Sequence, residues 1–157
     1  MQNQTAQIFA ALTTERVVLR QFVALLEREQ ALLVENDTDA LLELSEQKSD
    51  SAMSLNQLAK TRRDQLKKIL PDFSAESIHE WLKSNSPSGL DVWLEIRELA
   101  ERAQQLNNAN GELIQMKMRH NQQSLNALNI SVNKASLYGP DGQTTFSPGS
   151  GRSLGNG

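Results

Sequence analysis

The sequence of 157 residues contains no cysteine, so it can form neither a disulfide nor a thiolate metal site. Chain breakers are scarce outside the C-terminal end, because six of the eight glycines and two of the four prolines fall within residues 139–157. Sandwiches, barrels and α/β folds need frequent turns, so residues 1–138 are a poor match to them. No apolar run approaches the ~20 residues that a membrane-spanning helix requires. These absences leave a small set of long helices followed by a flexible tail.

Neither acidic nor basic residues predominate in the sequence, because the formal net charge is only −3. The densest basic cluster comprises Lys60, Arg62, Arg63, Lys67 and Lys68, and Asp64 interrupts it. A nucleic-acid surface would carry more positive charge and aromatic stacking partners, and aromatic residues make up only 4% of the chain. We interpret the cluster as a solvated helix face. We therefore expect no nucleic-acid partner. Because no apolar run is long enough to span a bilayer, we also expect no membrane insertion and a cytoplasmic location.

The apolar content is mainly leucine and alanine, which favour helix. Three-four spacing of these residues predicts an all-α fold: an elongated antiparallel bundle of long helices with one short helix and a flexible C-terminal tail. The predicted helices cover about residues 5–34, 39–70, 75–83 and 90–135. The predicted domains are a helical bundle at 1–135 and a Gly/Pro/Ser-rich tail at 136–157.

Polar residues interrupt the apolar pattern of the first two helices. Glu15 and Glu29 occupy positions of the first helix where the spacing calls for an apolar side chain. Lys48, Ser51 and Arg62 interrupt the second helix in the same way. We expect the middle of the second helix to pack weakly.

The second half of the last helix has an unusual composition. Asparagine recurs between residues 107 and 133, and both asparagine and Gly111 are poor helix formers. An apolar stripe nevertheless continues through this segment at Leu106, Leu113, Ile114, Leu125, Leu128 and Val132. The stripe either closes the bundle, which the periodicity alone favours, or remains available for a partner helix. Met116 and Met118 favour the second interpretation, because methionine adapts to varied surfaces.

No arrangement of residues indicates catalysis. Glu76 and His79 have the spacing of half a di-iron site, but the other histidine, His120, has Lys117 rather than a glutamate three residues before it. The glycine-rich segment 149–155 lacks the spacing of a phosphate-binding loop. We expect no catalytic residue, no cofactor and no metal, and hence a protein that is not an enzyme.

Two segments together resemble a known family. Asn108-Ala109-Asn110-Gly111-Glu112-Leu113-Ile114, followed by Leu125 and Leu128, resembles the signature region of the FlgN-type flagellar export chaperones. Leu137-Tyr138-Gly139-Pro140-Asp141-Gly142 resembles the turn that follows it in that family. The order and lengths of the predicted helices are also similar, so the resemblance covers about residues 1–142.

The resemblance implies a cytoplasmic type III secretion chaperone. Such a protein binds the C-terminal helical segment of hook-associated (hook–filament junction) proteins, prevents their premature assembly and delivers them to the flagellar export gate/ATPase complex. The alternative is a structural helical adaptor that self-associates as a weak homo-oligomer.

The resemblance and the apolar stripe together predict the site residues. The expected substrate-binding residues are Leu106, Asn110, Gly111, Leu113, Ile114, Met118, Leu125, Leu128 and Val132. Tyr138 is the expected residue for docking to the export gate, with a hydrophobic anchor at the end of the last helix as the alternative role.

Overall fold

The computed structural model describes the backbone of residues 2–137 and the side chains of residues 2–131. Four α-helices account for most of this range: α1 (Gln2–Glu35), α2 (Thr38–Lys67), α3 (Ala75–Asn85) and α4 (Pro87–Leu137). The described residues include no strand, and the all-α prediction is confirmed. The remainder of the predicted tail, from Tyr138 onward, lies outside the described residues.

The turn between α1 and α2 is made by two residues with complementary roles. Asn36 has a positive φ of 60°, a left-handed conformation that asparagine tolerates better than most residues and that commonly ends a helix. Asp37 is the N-cap of α2, and its side chain accepts a hydrogen bond from the Ala40 amide at 3.2 Å. The turn is therefore short, and α1 and α2 run antiparallel.

Serine side chains cap the two helices that follow. The Ser74 hydroxyl accepts the Ser77 amide at 3.1 Å and so caps the N-terminus of α3. Ser86 alone separates α3 from α4, whereas the sequence predicted a connector of six residues. Its hydroxyl accepts the Gly89 amide at 3.2 Å, and Pro87 occupies the first position of α4, where a missing amide costs nothing.

The chain divides into two compact units, Met1–Leu113 and Ile114–Gly157. The first unit has a hydrophobic core to which all four helices contribute. Its buried members are Ile8, Leu12, Leu19, Val23, Leu26, Leu66, Ile78, Leu82, Val92, Trp93, Ile96, Ala103 and Leu106. The second unit is described from Ile114 to Leu137, all of it within α4.

Four of the polar interruptions of α1 and α2 form two pairs across the helices. Glu15 of α1 accepts a hydrogen bond from Arg62 of α2, and Glu29 forms a salt bridge with Lys48 at 3.2 Å. Glu15 and Glu29 lie two heptads apart on α1, and their partners Arg62 and Lys48 lie two heptads apart on α2. Both pairs therefore fit one antiparallel register of the two helices. The interruptions therefore specify how the two helices align.

The pairing overturns part of the expectation for the basic cluster. Arg62 was expected on a solvated face, but its side chain is only 17% exposed and its guanidinium lies 5.0 Å from the centroid of the Trp93 ring. The prediction was wrong for Arg62 because composition does not show that a carboxylate faces this position from α1. The cation also gains from the aromatic face beneath it.

Candidate functional site

The structure buries two of the predicted substrate-binding residues within the first unit. Leu106 is 3% exposed and belongs to the hydrophobic core, and Asn110 is 1% exposed. Neither side chain can contact a partner while this core is closed. We therefore remove Leu106 and Asn110 from the predicted surface and assign them to the bundle.

Asn110 belongs to a polar group that we call the Glu29 cluster: Glu29, Lys48, Asn107, Asn110 and the carbonyl of Leu26. The Asn110 amide donates to the Leu26 carbonyl at 2.9 Å and to Oε1 of Glu29 at 2.8 Å. Lys48 Nζ donates to both Glu29 carboxylate oxygens at 3.2 Å and to Oδ1 of Asn107 at 3.1 Å. These hydrogen bonds join α1, α2 and α4 and pair the Asn110 amide and the Glu29 carboxylate, whereas the buried Oδ1 of Asn110 has no hydrogen-bond partner among the described residues.

The next two predicted residues, Gly111 and Leu113, are half-buried at the end of the first unit. A Cβ placed on Gly111 would meet no atom within 4 Å. Close packing therefore does not require glycine at this position. Leu113 keeps part of its side chain in solvent.

The remaining predicted residues with described side chains lie on α4 within the second unit and are exposed. Ile114 is 39% exposed, Met118 64%, Leu125 55% and Leu128 60%. At 100° per residue, these four side chains fall within an arc of about 80° of the helix. Their spacing alternates between four and three residues once Asn121, between Met118 and Leu125, is counted in the series. We call Ile114, Met118, Asn121, Leu125 and Leu128 the α4 stripe.

Asn121 was missed by the sequence reasoning, which followed only apolar residues. The regular spacing of its neighbours was a sufficient signal, because a seam of period 3.5 requires a member between Met118 and Leu125. Met116 and Ile130, which are each 57% exposed, lie on the opposite side of the helix and do not belong to the stripe.

The charges along this part of α4 have one sign. Between Ile114 and Ser131 the charged residues are Lys117 and Arg119, with His120 beside them, and there is no aspartate or glutamate. The edges of the stripe are otherwise lined by amide and hydroxyl side chains, such as Gln115, Gln122 and Ser124. Lys117 lies at one edge of the stripe and Arg119 on the opposite side of the helix, so the stripe is an apolar line with polar edges and one cation beside its N-terminal part.

Two further predicted residues cannot be placed. The side chain of Val132 and the whole of Tyr138 lie outside the described residues. The continuation of the stripe to Val132 and the docking role of Tyr138 therefore remain predictions from the sequence.

Glu76 and His79, which have the spacing of half a di-iron site, lie on α3 of the first unit. Glu76 and His79 line a shallow depression with Ala75, Glu80 and Arg97. Within residues 2–131, no three histidine, aspartate or glutamate side chains are grouped so as to hold a metal ion. Across the described helices, no segment has the length and apolar character needed to traverse a bilayer.

Two carboxylates of the first unit, Asp72 and Glu95, have a lowered pKa. Glu95 of α4 accepts hydrogen bonds from Arg20 and, at 3.0 Å, from Arg16 of α1. The Arg20 hydrogen bond is the main cause that lowers the pKa of Glu95 below its ordinary value, and Arg16 adds to it. This group fastens α1 to α4 at the surface rather than forming a catalytic site.

The fold and these residues define an all-α protein with an exposed apolar stripe and, over its described part, no assembled metal site. The family model described as "FlgN protein" matches residues 1–145, and the chain belongs to the FlgN family. Two curated relatives, from Yersinia enterocolitica and from its serotype O:8 / biotype 1B, are both named "Flagella synthesis protein FlgN". Each is 42% identical over 72 residues, which cover 46% of this chain and 48% of the relative.

The matched region thus spans about half the length of these curated relatives. No solved structure matches the chain.

Proposed function

We propose that this chain is a non-enzymatic flagellar synthesis chaperone that binds an amphipathic helix of a client protein along the α4 stripe. The observation that carries the proposal is the exposure of four large apolar side chains on one arc of α4, in a chain of the FlgN family. Clustered apolar exposure of this kind marks interaction surfaces. A helix laid along the stripe would remove these side chains from water.

The energy available fits reversible binding. Fully burying one such side chain gains about 1.5–3 kcal/mol, and because each of these is 39–64% exposed in the free chain, covering it contributes about 1 kcal/mol. Four of them, together with the client's own apolar residues, act against the several kcal/mol that association and ordering cost. A chaperone that later releases its client needs a moderate surplus of this kind.

The proposed clients are hook-associated proteins, bound through their C-terminal helical segments in the cytoplasm. The support is the sequence resemblance of residues 108–114 and 137–142, together with relatives named for flagella synthesis. Binding would prevent premature assembly, and delivery would go to the export gate/ATPase complex. In this proposal Tyr138 docks to the export gate, as the resemblance implies.

The test is calorimetric titration of the full chain with the C-terminal segment of a hook-associated protein. Leu125→Asp should abolish binding, because it places a charge in the middle of the contact. Gln123→Asp is the matched control, since it adds the same charge on the opposite side of α4. The wild-type circular dichroism signal should persist in both variants, because both positions are exposed. Unchanged binding by Leu125→Asp would contradict the proposal.

The same exposed stripe supports a second candidate, a helical adaptor that self-associates through α4. Sedimentation of the full chain separates the two candidates. Self-association predicts a concentration-dependent dimer or tetramer that Leu125→Asp dissociates. The chaperone proposal predicts instead that Leu125→Asp leaves the sedimentation of the free chain unchanged.

A further inference from the structure

Asn121 interrupts the α4 stripe at its centre. It is exposed, and it lies between Met118 and Leu125 on the same arc of the helix. In the free chain water satisfies its amide, so the residue costs little there. Once a client helix covers the stripe, that amide is enclosed by the apolar side chains on both sides of it.

An enclosed asparagine must find new partners. Its side chain offers two N–H donors and one carbonyl acceptor, and leaving them unpaired is costly. An asparagine in the seam between two helices is known to select the partner and the register in which a polar residue faces it. Leucine or methionine opposite Asn121 would therefore be rejected, although both fit every other position of the stripe.

The charge beside the stripe argues against a parallel second copy of this chain as the occupant. Lys117 lies at one edge of the stripe, whereas Arg119 lies on the opposite side of the helix, so a parallel copy would bring its Lys117 next to this one. An antiparallel copy would avoid that contact, and the sedimentation experiment above tests it. A helix with uncharged or acidic edges is complementary instead. The stripe from Ile114 to Leu128 is about 21 Å long at 1.5 Å per residue, so the partner helix needs about four turns.

We propose that Asn121 is the specificity-determining residue of the α4 stripe. It selects a client helix that presents Asn, Gln, Ser or Thr at the position facing it, with apolar residues on either side and no basic residues at its edges. This inference rests on the proposed function, because it requires that a client helix bind the stripe.

The experiment compares two asparagine substitutions in the full chain, titrated with the C-terminal segment of a hook-associated protein. Asn121→Leu should weaken binding at least about fivefold, because the client's polar side chain loses its partner although the stripe becomes more apolar. Asn126→Leu is the matched control. It makes the same replacement at an exposed position about 140° around the helix from Asn121, and binding should stay within about twofold of wild type.

The possible results separate the inference from the function it rests on. Tighter or unchanged binding by Asn121→Leu, with Leu125→Asp still abolishing it, would overturn the role of Asn121 and leave the chaperone proposal intact. Unchanged binding by Leu125→Asp, or no binding by the wild-type chain, would overturn both. Equal weakening by Asn121→Leu and Asn126→Leu would also overturn the inference, since the effect would not depend on the stripe.

Discussion

Glu29 shows how one buried carboxylate can serve three helices. It accepts hydrogen bonds from Lys48 of α2 and Asn110 of α4 while being only 8% exposed. The neighbouring Glu27 also has a basic partner, Arg102 at 3.8 Å, but both of those side chains are more than half exposed. Two carboxylates on one helix thus occupy very different environments.

We predict that Glu29→Gln lowers the free energy of unfolding by about 2 kcal/mol, because Lys48 loses its charged partner in a mostly enclosed site. Glu27→Gln should change it by less than about 0.5 kcal/mol, because exposed ion pairs contribute little. Urea denaturation followed by circular dichroism measures both. Equal effects would show that the Glu29 cluster does not stabilise the bundle.

The ion pairs of Glu95 should make the stability of the fold depend on pH. Because the pKa of Glu95 is lowered in the folded chain, its ion pairs with Arg20 and Arg16 stabilise the fold above the ordinary value of 4.5. That contribution is lost as the pH falls through the lowered pKa. The melting temperature of Glu95→Gln should therefore lie below that of the wild type at pH 6, and the gap should narrow as the pH falls below 4.5. Glu98→Gln, also on α4, is the control, and a gap for Glu95→Gln that does not narrow on acidification would contradict the assignment.

The two parts of α4 differ in burial and in composition. Its first part contributes Val92, Trp93 and Ile96 to the core, whereas its second part exposes Leu125 and Leu128. The second part is also rich in asparagine, so its intrinsic helix stability is low. One helix therefore contains both a structural half and a half with an uncovered apolar face.

Two glycines of α4 should respond oppositely to alanine. Gly111→Ala should raise the free energy of unfolding by about 0.5–1 kcal/mol, because the helix gains a better former and a Cβ meets nothing within 4 Å. Gly89→Ala should lower it, because its Cβ would lie 2.7 Å from the Ser86 hydroxyl that caps the helix. Urea midpoints compare them. A loss of stability by Gly111→Ala would show an unrecognised constraint at that position.

The helices could be predicted from the sequence, because the apolar period and the capping residues are local signals. Asp37 and Ser74 are of the residue types that cap helix N-termini, and the structure uses both as caps. What could not be predicted was which polar residues would meet. The pairing of Glu15 with Arg62 depends on the register of two helices, and a single sequence does not display that register.

The candidate site could be predicted only in part, because a single sequence does not show which part of a helix face another helix covers. Periodicity placed Leu106 and Leu125 on one apolar stripe, yet the first is buried and the second exposed. The apolar periodicity shows which side chains share one face of α4, but it does not show whether another helix covers that face. The burial of Asn110 likewise depends on the carbonyl of Leu26 and on Glu29, which are remote in sequence.

For the whole molecule, the division into two units suggests a division of tasks. The unit Met1–Leu113 contains the hydrophobic core, and the apolar residues of the α4 stripe lie in the other unit. A client bound to the stripe should therefore stabilise residues 114–131 without repacking the core. In this proposal, recognition and folding depend on separate sets of residues.

Hydrogen exchange of the full chain, with and without the C-terminal segment of a hook-associated protein, tests that claim most directly. We expect the segment to slow exchange of backbone amides within residues 114–131 and to leave those of the α1 core, residues 8–26, unchanged. Slower exchange across the α1 core with no change in residues 114–131 would contradict this separation, because it would place the client on the bundle rather than on the α4 stripe.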